Sequence, residues 1–117
     1  MSAKKTVNKK ADKIVKEAKE LCTDLFKDKL CDVYLYGSYA RGDYHKYSDV
    51  DILLTLNLTE KQIKKYNNAL CHIASELSLR YDITVSITTD PIKTFYKYTE
   101  FIPFYRNVLT EGINYGN

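Results

Sequence analysis

The feature that most constrains this chain is a pair of short apolar runs joined through a glycine-bounded turn. The first, Cys31-Asp32-Val33-Tyr34-Leu35-Tyr36, is rich in β-branched and aromatic residues and stops at Gly37, which predicts a strand rather than a helix. The next residues, Ser38-Tyr39-Ala40-Arg41, can form a single helical turn capped by Ser38, with backbone N–H groups pointing back toward the strand end. Gly42 then releases the chain into a polar loop over residues 43–47. The second run, Asp49-Val50-Asp51-Ile52-Leu53-Leu54-Thr55-Leu56, predicts another strand. Because side chains alternate along a strand, Asp49 and Asp51 face one side, about 6.5 to 7 Å apart along the backbone.

Two carboxylates on one face repel each other. At 4 Å and an effective dielectric near 20 the repulsion is about 4 kcal/mol, which a folded site offsets with a cation or a basic partner. Magnesium suits this place, since it takes oxygen ligands and binds through one or two carboxylates together with substrate phosphates. Gly37, with no Cβ, lets a phosphate approach the backbone, and the Ser38 hydroxyl and nearby N–H groups can donate to its oxygens. Neighbouring metal and phosphate sites suit in-line displacement at a nucleotide phosphate. Other glycine-turn chemistries fit less well: no Lys-Ser or Lys-Thr follows Gly42, the G-x-G-x-x-G spacing is absent, and Ser38 lacks the G-x-S-x-G context of a hydrolase nucleophile.

Around this centre the chain reads as one domain, 1–117, of α+β class, a small mixed sheet backed by helices. Val7, Ala11, Ile14, Val15, Ala18, Leu21, Cys22, Leu25 and Phe26 make the buried stripe of a first helix over residues 6–27. Thr59 and Gln62 form a capping-box pattern opening a long helix through Ile63, Tyr66, Leu70, Ile73 and Leu77, with His72 off that stripe. Residues 82–88 alternate and predict a third strand, with Asp82, Thr84 and Ser86 on one face. Asp90-Pro91 predicts a helix N-cap and first position, and a last helix starts near Pro103 and ends at Gly112 with Ile113 folding back. The short link between the first two strands favours antiparallel pairing, and the helix between the second and third permits a parallel crossover.

Composition narrows the function classes. With 44% hydrophobic and 28% charged residues the chain has an ordinary globular balance, and a net charge of +3 with scattered lysines argues against nucleic acid as partner. No apolar stretch is long enough to span a bilayer, and no apolar core follows Lys4, Lys5, Lys9 and Lys10, so a cytoplasmic location with no membrane partner is expected. Cys22, Cys31 and Cys71 lack metal-site spacing and are expected to be buried thiols.

Gly37-Ser38-Tyr39-Ala40-Arg41-Gly42, five residues, then Ser48-Asp49-Val50-Asp51-Ile52-Leu53-Leu54 resembles the signature of the minimal nucleotidyltransferases, small members of the DNA polymerase β-like nucleotidyltransferase superfamily. The ending from Pro103 to Val108 and Glu111-Gly112-Ile113 is similar to the tails of stand-alone domains of this group. The resemblance implies a polymerase β palm-like fold and transfer of a nucleoside monophosphate, AMP from ATP, to a hydroxyl of a protein or small-molecule acceptor. It also implies two magnesium ions on Asp49 and Asp51, nucleotide binding by Gly37, Ser38 and Arg41, and a third catalytic carboxylate on the third strand. Asp82 is assigned there, and Ser86 is the competing register, about 13 Å away in strand rise. Arg41 lies either near a phosphate or in a structural ion pair. Among partners, the resemblance implies a HEPN-class protein, as in a toxin–antitoxin pair, or a second copy of the chain. The alternative is an inactive nucleotide- or partner-binding module of the same fold.

Overall fold

The computed structural model describes residues 6–116; Lys4 and Lys5 lie outside the described residues. The first helix, α1 (Lys9–Phe26), starts later than its apolar stripe because the Asn8 side-chain carbonyl accepts the N–H groups of Lys10 and Ala11 at 3.0 and 3.1 Å. An asparagine in that position satisfies donors that the first turn would otherwise leave bare. The chain continues through β1 (Leu30–Tyr36), the single turn α2 (Ser38–Arg41), β2 (Val50–Leu56), α3 (Glu60–Lys64), α4 (Asn67–Tyr81), β3 (Val85–Pro91), α5 (Ile92–Lys97), α6 (Pro103–Glu111) and β4 (Ile113–Asn114).

These strands form a mixed sheet in the order β3-β2-β1-β4. β1 pairs antiparallel with β2, and β2 pairs parallel with β3 after the α3–α4 crossover, as the connection lengths predict. Alternation along the strands divides the side chains between two layers. Val33, Leu35, Val50, Ile52, Leu54, Leu56 and Val85 pack under α1 and α4, together with Ile14, Val15, Ala18, Leu70 and Leu77. On the opposite face Tyr34 and Leu53 meet Phe95 of α5 and Val108 of α6. The face carrying Asp51 is therefore the one that α5 and α6 cover.

Local signals decide where the expectations hold and where they break. The Thr59/Gln62 capping box forms in both directions, at 3.2 and 2.9 Å, but the expected long helix divides after Lys64, and α4 begins at Asn67. The third strand starts at Val85 rather than at residue 82. Asp82 instead ends α4 in the left-handed conformation, φ 52°, with its N–H bonded to the Ser78 carbonyl. Aspartate tolerates that conformation better than most residues, so the helix runs on through the start of the alternating stretch. β3 then extends to Pro91, which makes Asp90 a strand residue rather than a helix cap.

β4 was not expected: beyond Gly112, Ile113 and Asn114 pair with Leu35 and Tyr34. Gly112 is required by contact rather than by dihedral angle, since a Cβ there would sit 2.2 Å from the Val108 carbonyl oxygen and 3.2 Å from that of Leu35. Of the three free cysteines only Cys22 is buried, Cys31 is half-buried and Cys71 is exposed, correcting the expectation of three buried thiols.

Phe95 anchors the smaller layer with no exposed surface and ring contacts to Tyr34, Tyr96 and Tyr105. Phe95→Ala is expected to cost about 3–5 kcal/mol of stability, read as a lowered urea midpoint with an unchanged slope.

Candidate functional site

The site is built where β1 ends. Gly37 has φ 78° and ψ −156°, a conformation that residues with a Cβ strongly disfavour. A Cβ on it would also lie 2.5 Å from Asp51 Oδ2. The first glycine of the motif thus does two things: it turns the chain and makes room for a carboxylate. Directly after it, the N–H groups of Ala40 and Arg41 both donate to the Gly37 carbonyl at 3.1 Å, and Gly42, at φ 91°, closes the turn onto Ser38 at 2.8 Å. Gly37, not Ser38, occupies the cap position, and no side chain caps the turn. The Ser38 hydroxyl, expected to cap, is left for another use.

The loop over residues 43–47 is fastened on both sides. Ser48 is 8% exposed and clasps His45 twice: its Oγ accepts the His45 N–H at 2.9 Å, and its own N–H donates to the His45 carbonyl at 3.0 Å. Tyr44 stacks on the buried Tyr39 of α2, ring centroids 4.4 Å apart. These contacts deliver Asp49 to the mouth of β2. Asp49 is exposed, whereas Asp51, one pleat further, is half-buried.

Burial raises the Asp51 carboxyl above the usual carboxylate range, and the charge of Asp49 adds to the shift, while the Arg41 guanidinium opposes it. The two carboxylates therefore feel each other as the strand spacing predicts. Arg41 takes the ion-pair option: its Nε lies 3.2 Å from Asp43 Oδ2 and its Nη1 3.7 Å from Glu111 Oε2. An oxygen-only donor pair whose repulsion the neighbouring arginine does not cancel fits a hard cation such as magnesium.

The ladder separates the two candidates for the third position. Asp51 is paired across the parallel ladder with Ser86, and Leu53 with Thr88, whose Oγ1 is 3.4 Å from the Tyr36 hydroxyl. Asp82 is exposed at the end of α4, outside the strand. Among the described residues no group of three or more histidine, cysteine, aspartate or glutamate side chains is arranged to hold a metal. The structure thus brings Gly37, Arg41, Asp49 and Asp51 together, sets Ser86 next to Asp51, and corrects the placing of Asp82 on the third strand.

Beside the turn opens a cavity of about 220 Å³, lined by Tyr36, Gly37, Arg41, Phe104, Asn107 and Glu111 among others. Larger cavities, about 610 Å³ between α3 and α5 and about 640 Å³ along α1, contain none of the motif residues. Tyr36 could have been noticed from its place before Gly37 and its alternation with Tyr34. Phe104, Asn107 and Glu111 share one face of α6, but no local signal says which strand end that face meets.

The Asp51 shift has a definite sign in a pH titration. A carboxyl whose native value is raised binds its proton more tightly when folded, so stability falls as pH rises from the unfolded value, near 3.8, through the raised native one. Above that window the penalty is fully present. Asp51→Asn is expected to raise Tm at pH 7 in metal-free buffer, with the gain vanishing below about pH 3, measured by calorimetric melting across pH.

Comparison with known proteins agrees with this geometry. The family model described as Nucleotidyltransferase domain matches residues 11–112. A Methanocaldococcus jannaschii relative named as a protein adenylyltransferase is 47% identical over 73 residues, which are 62% of this chain and 72% of the relative. A solved toxin–antitoxin structure with AMP-PNP superposes with a TM-score of 0.55 at 22% identity, covering 86% of this chain and 73% of that one. An MNT antitoxin complex with a tri-AMPylated HEPN toxin from Shewanella oneidensis gives a TM-score of 0.53 at 20% identity, covering 92% and 73%. At such identities the two structures speak for the fold. The family match, running from the first turn of α1 to Gly112, decides membership: this chain belongs to the nucleotidyltransferase domain family.

Proposed function

We propose that the protein transfers AMP from ATP, with magnesium, to a hydroxyl of a protein acceptor in the cytoplasm, and that a HEPN-class toxin is its partner and acceptor. The observation that carries this reading is the approach of the Asp51 carboxylate to the space a Gly37 side chain would fill, which puts a phosphate turn and a carboxylate pair at one strand end. The M. jannaschii relative is named for adenylyl transfer to protein, one structural neighbour holds AMP-PNP, and another is paired with an AMPylated HEPN toxin; each supports one part of the proposal.

In this scheme the turn of Gly37 and Ser38 holds the triphosphate, with Arg41 at its edge, and Asp49 and Asp51 hold the metal. Magnesium, when bound, would neutralise charge on the phosphates and on the attacking and departing oxygens. An acceptor hydroxyl oxygen forms a bond to the α-phosphorus, the bond from that phosphorus to the bridging oxygen of the β-phosphate breaks, and pyrophosphate leaves with the bonding pair. The hydroxyl proton passes to solvent or to a phosphate oxygen. Ser86, beside Asp51, offers a hydroxyl there and no carboxylate.

That same pairing favours a second reading, a module that binds magnesium nucleotide without efficient transfer. General bases supply typically ~10²–10⁴-fold in rate, so a site lacking one is slow. Both readings are tested by following pyrophosphate release with ATP, magnesium and a co-purified HEPN partner. The transfer reading expects release and an AMP adduct on the partner, both abolished in Asp49→Ala and Asp51→Ala. Binding with no release by the native protein, but release by Ser86→Asp, would establish the second reading instead. Asp82→Asn, in either case, is expected to leave the rate within about two-fold, as surface changes away from a site usually do.

A further inference from the structure

The cavity beside the motif has the chemistry of a base-reading subsite. It shares Gly37 and Arg41 with the phosphate turn, so a nucleotide held by that turn has its next groups within reach of the cavity. Its other wall is α6. Phe104, Asn107 and Glu111 fall at i, i+3 and i+7, a single face of that helix. Val108, buried in the smaller core layer, fixes the helix against the sheet.

Phe104 is 40% exposed, and its ring meets that of Tyr36 at 88°, centroids 5.4 Å apart, and that of Tyr105 at 57° and 5.7 Å. An aromatic braced by two neighbouring rings and still partly open to solvent on a cavity wall is a platform for a flat ring. Asn107 is exposed, and its side chain makes no hydrogen bond with another described residue. Both halves of its amide are therefore available to a ligand. The Glu111 carboxylate, which would otherwise repel a phosphate chain, has its charge opposed by Arg41 at 3.7 Å.

We infer that this cavity is the nucleobase subsite, in which Phe104 stacks a purine and Asn107 selects adenine. The inference rests on the ATP reading proposed above and adds to it the residues that hold and select the base. Its selectivity follows from donor and acceptor counting. Adenine presents an amino donor and the N7 acceptor side by side, which one asparagine amide satisfies with its carbonyl and its NH₂. Guanine presents two acceptors, O6 and N7, on the same edge, so one amide leaves its carbonyl or the base without a partner.

Isothermal titration with magnesium and the nonhydrolysable imido analogues of ATP and GTP separates the two roles. The native protein is expected to bind the adenine analogue about ten-fold more tightly, the scale of one bidentate amide–base contact. Asn107→Ala, at an exposed helical position, should remove that preference by weakening the adenine analogue about ten-fold and the guanine analogue little. Phe104→Ala should weaken both about ten-fold, since stacking ignores base identity; Phe104→Tyr should restore both. Equal affinity of the native protein for the two analogues, or a preference that survives in Asn107→Ala, overturns the subsite while leaving the phosphate and metal reading standing. Binding of neither analogue overturns both.

Discussion

The antiparallel ladder between β1 and β2 is the interaction on which the rest depends. It runs from Leu30 opposite Leu56 to Tyr36 opposite Asp51, with one irregularity between Leu30 and Asp32. Its last rung brings the end of one strand against the start of the other, so that the Asp51 carboxylate takes the space a side chain on Gly37 would need. A slip of one residue would turn every side chain of β2 to the opposite face. Asp51 would then enter the layer under α1 and α4, and Ile52 would take its place at the turn. The buried residues Val50, Ile52, Leu54 and Leu56 forbid that slip. The hydrophobic core, which takes in Tyr39 and Ala40 of the turn and Val50 between the two aspartates, thus sets the position of the charged site.

The face that bears the site is polar at both ends, with the apolar layer of Leu53, Phe95 and Val108 between them. At the end away from the motif, the fully buried Thr55 hydroxyl donates to Asp32 Oδ2 at 2.7 Å and accepts the Asp32 N–H at 2.9 Å. Tyr96 and Asn114 donate to the same carboxylate, at 3.0 and 3.2 Å. Burial first, then its bonds to Tyr34 and Asp32, push the Tyr96 phenol up. The eleven tyrosines find part of their use here, for phenols of this chain repeatedly clasp acids across elements: Tyr96 on Asp32, Tyr115 on Asp12 and Tyr81 on Glu17. A phenol supplies apolar area and one directed donor together, which suits a small chain with limited core.

What was legible in the sequence was what neighbouring residues decide. The two central strands, the glycine turn, the pairing of Asp49 with Asp51 and the capping box at Thr59 all follow from short-range rules, and the structure shows them. The fold class follows from their order. The start of β3 was misread because residues 82–88 alternate like a strand while α4 continues to Tyr81 and ends on Asp82; the helix is held there by Leu77 in the core and by Arg80, which pairs with Glu17 of α1 and Glu76. That single displacement moves the third-position candidate from Asp82 to Ser86. β4 and the cavity wall on α6 were not legible at all, since both depend on where the chain returns after a long excursion from β1, and nothing in Phe104, Asn107 or Ile113 names the partner strand.

The contrast in exposure between Asp49 and Asp51 has a consequence for how the site handles water. Asp51 is sheltered by the turn and the sheet, but Asp49 stands open at the mouth, and the loop beside it is tied down by Ser48 and Tyr39 rather than hinged to swing over. Enzymes that move phosphoryl-type groups exclude water by closing a lid. Here α6 walls the cavity beside the turn, while Asp49 stays exposed at the mouth. In the proposed transfer, an acceptor protein docking its hydroxyl over the exposed Asp49 would serve as substrate and as cover at once, so that chemistry would be coupled to correct docking, with free nucleotide left largely to exchange with solvent in the meantime.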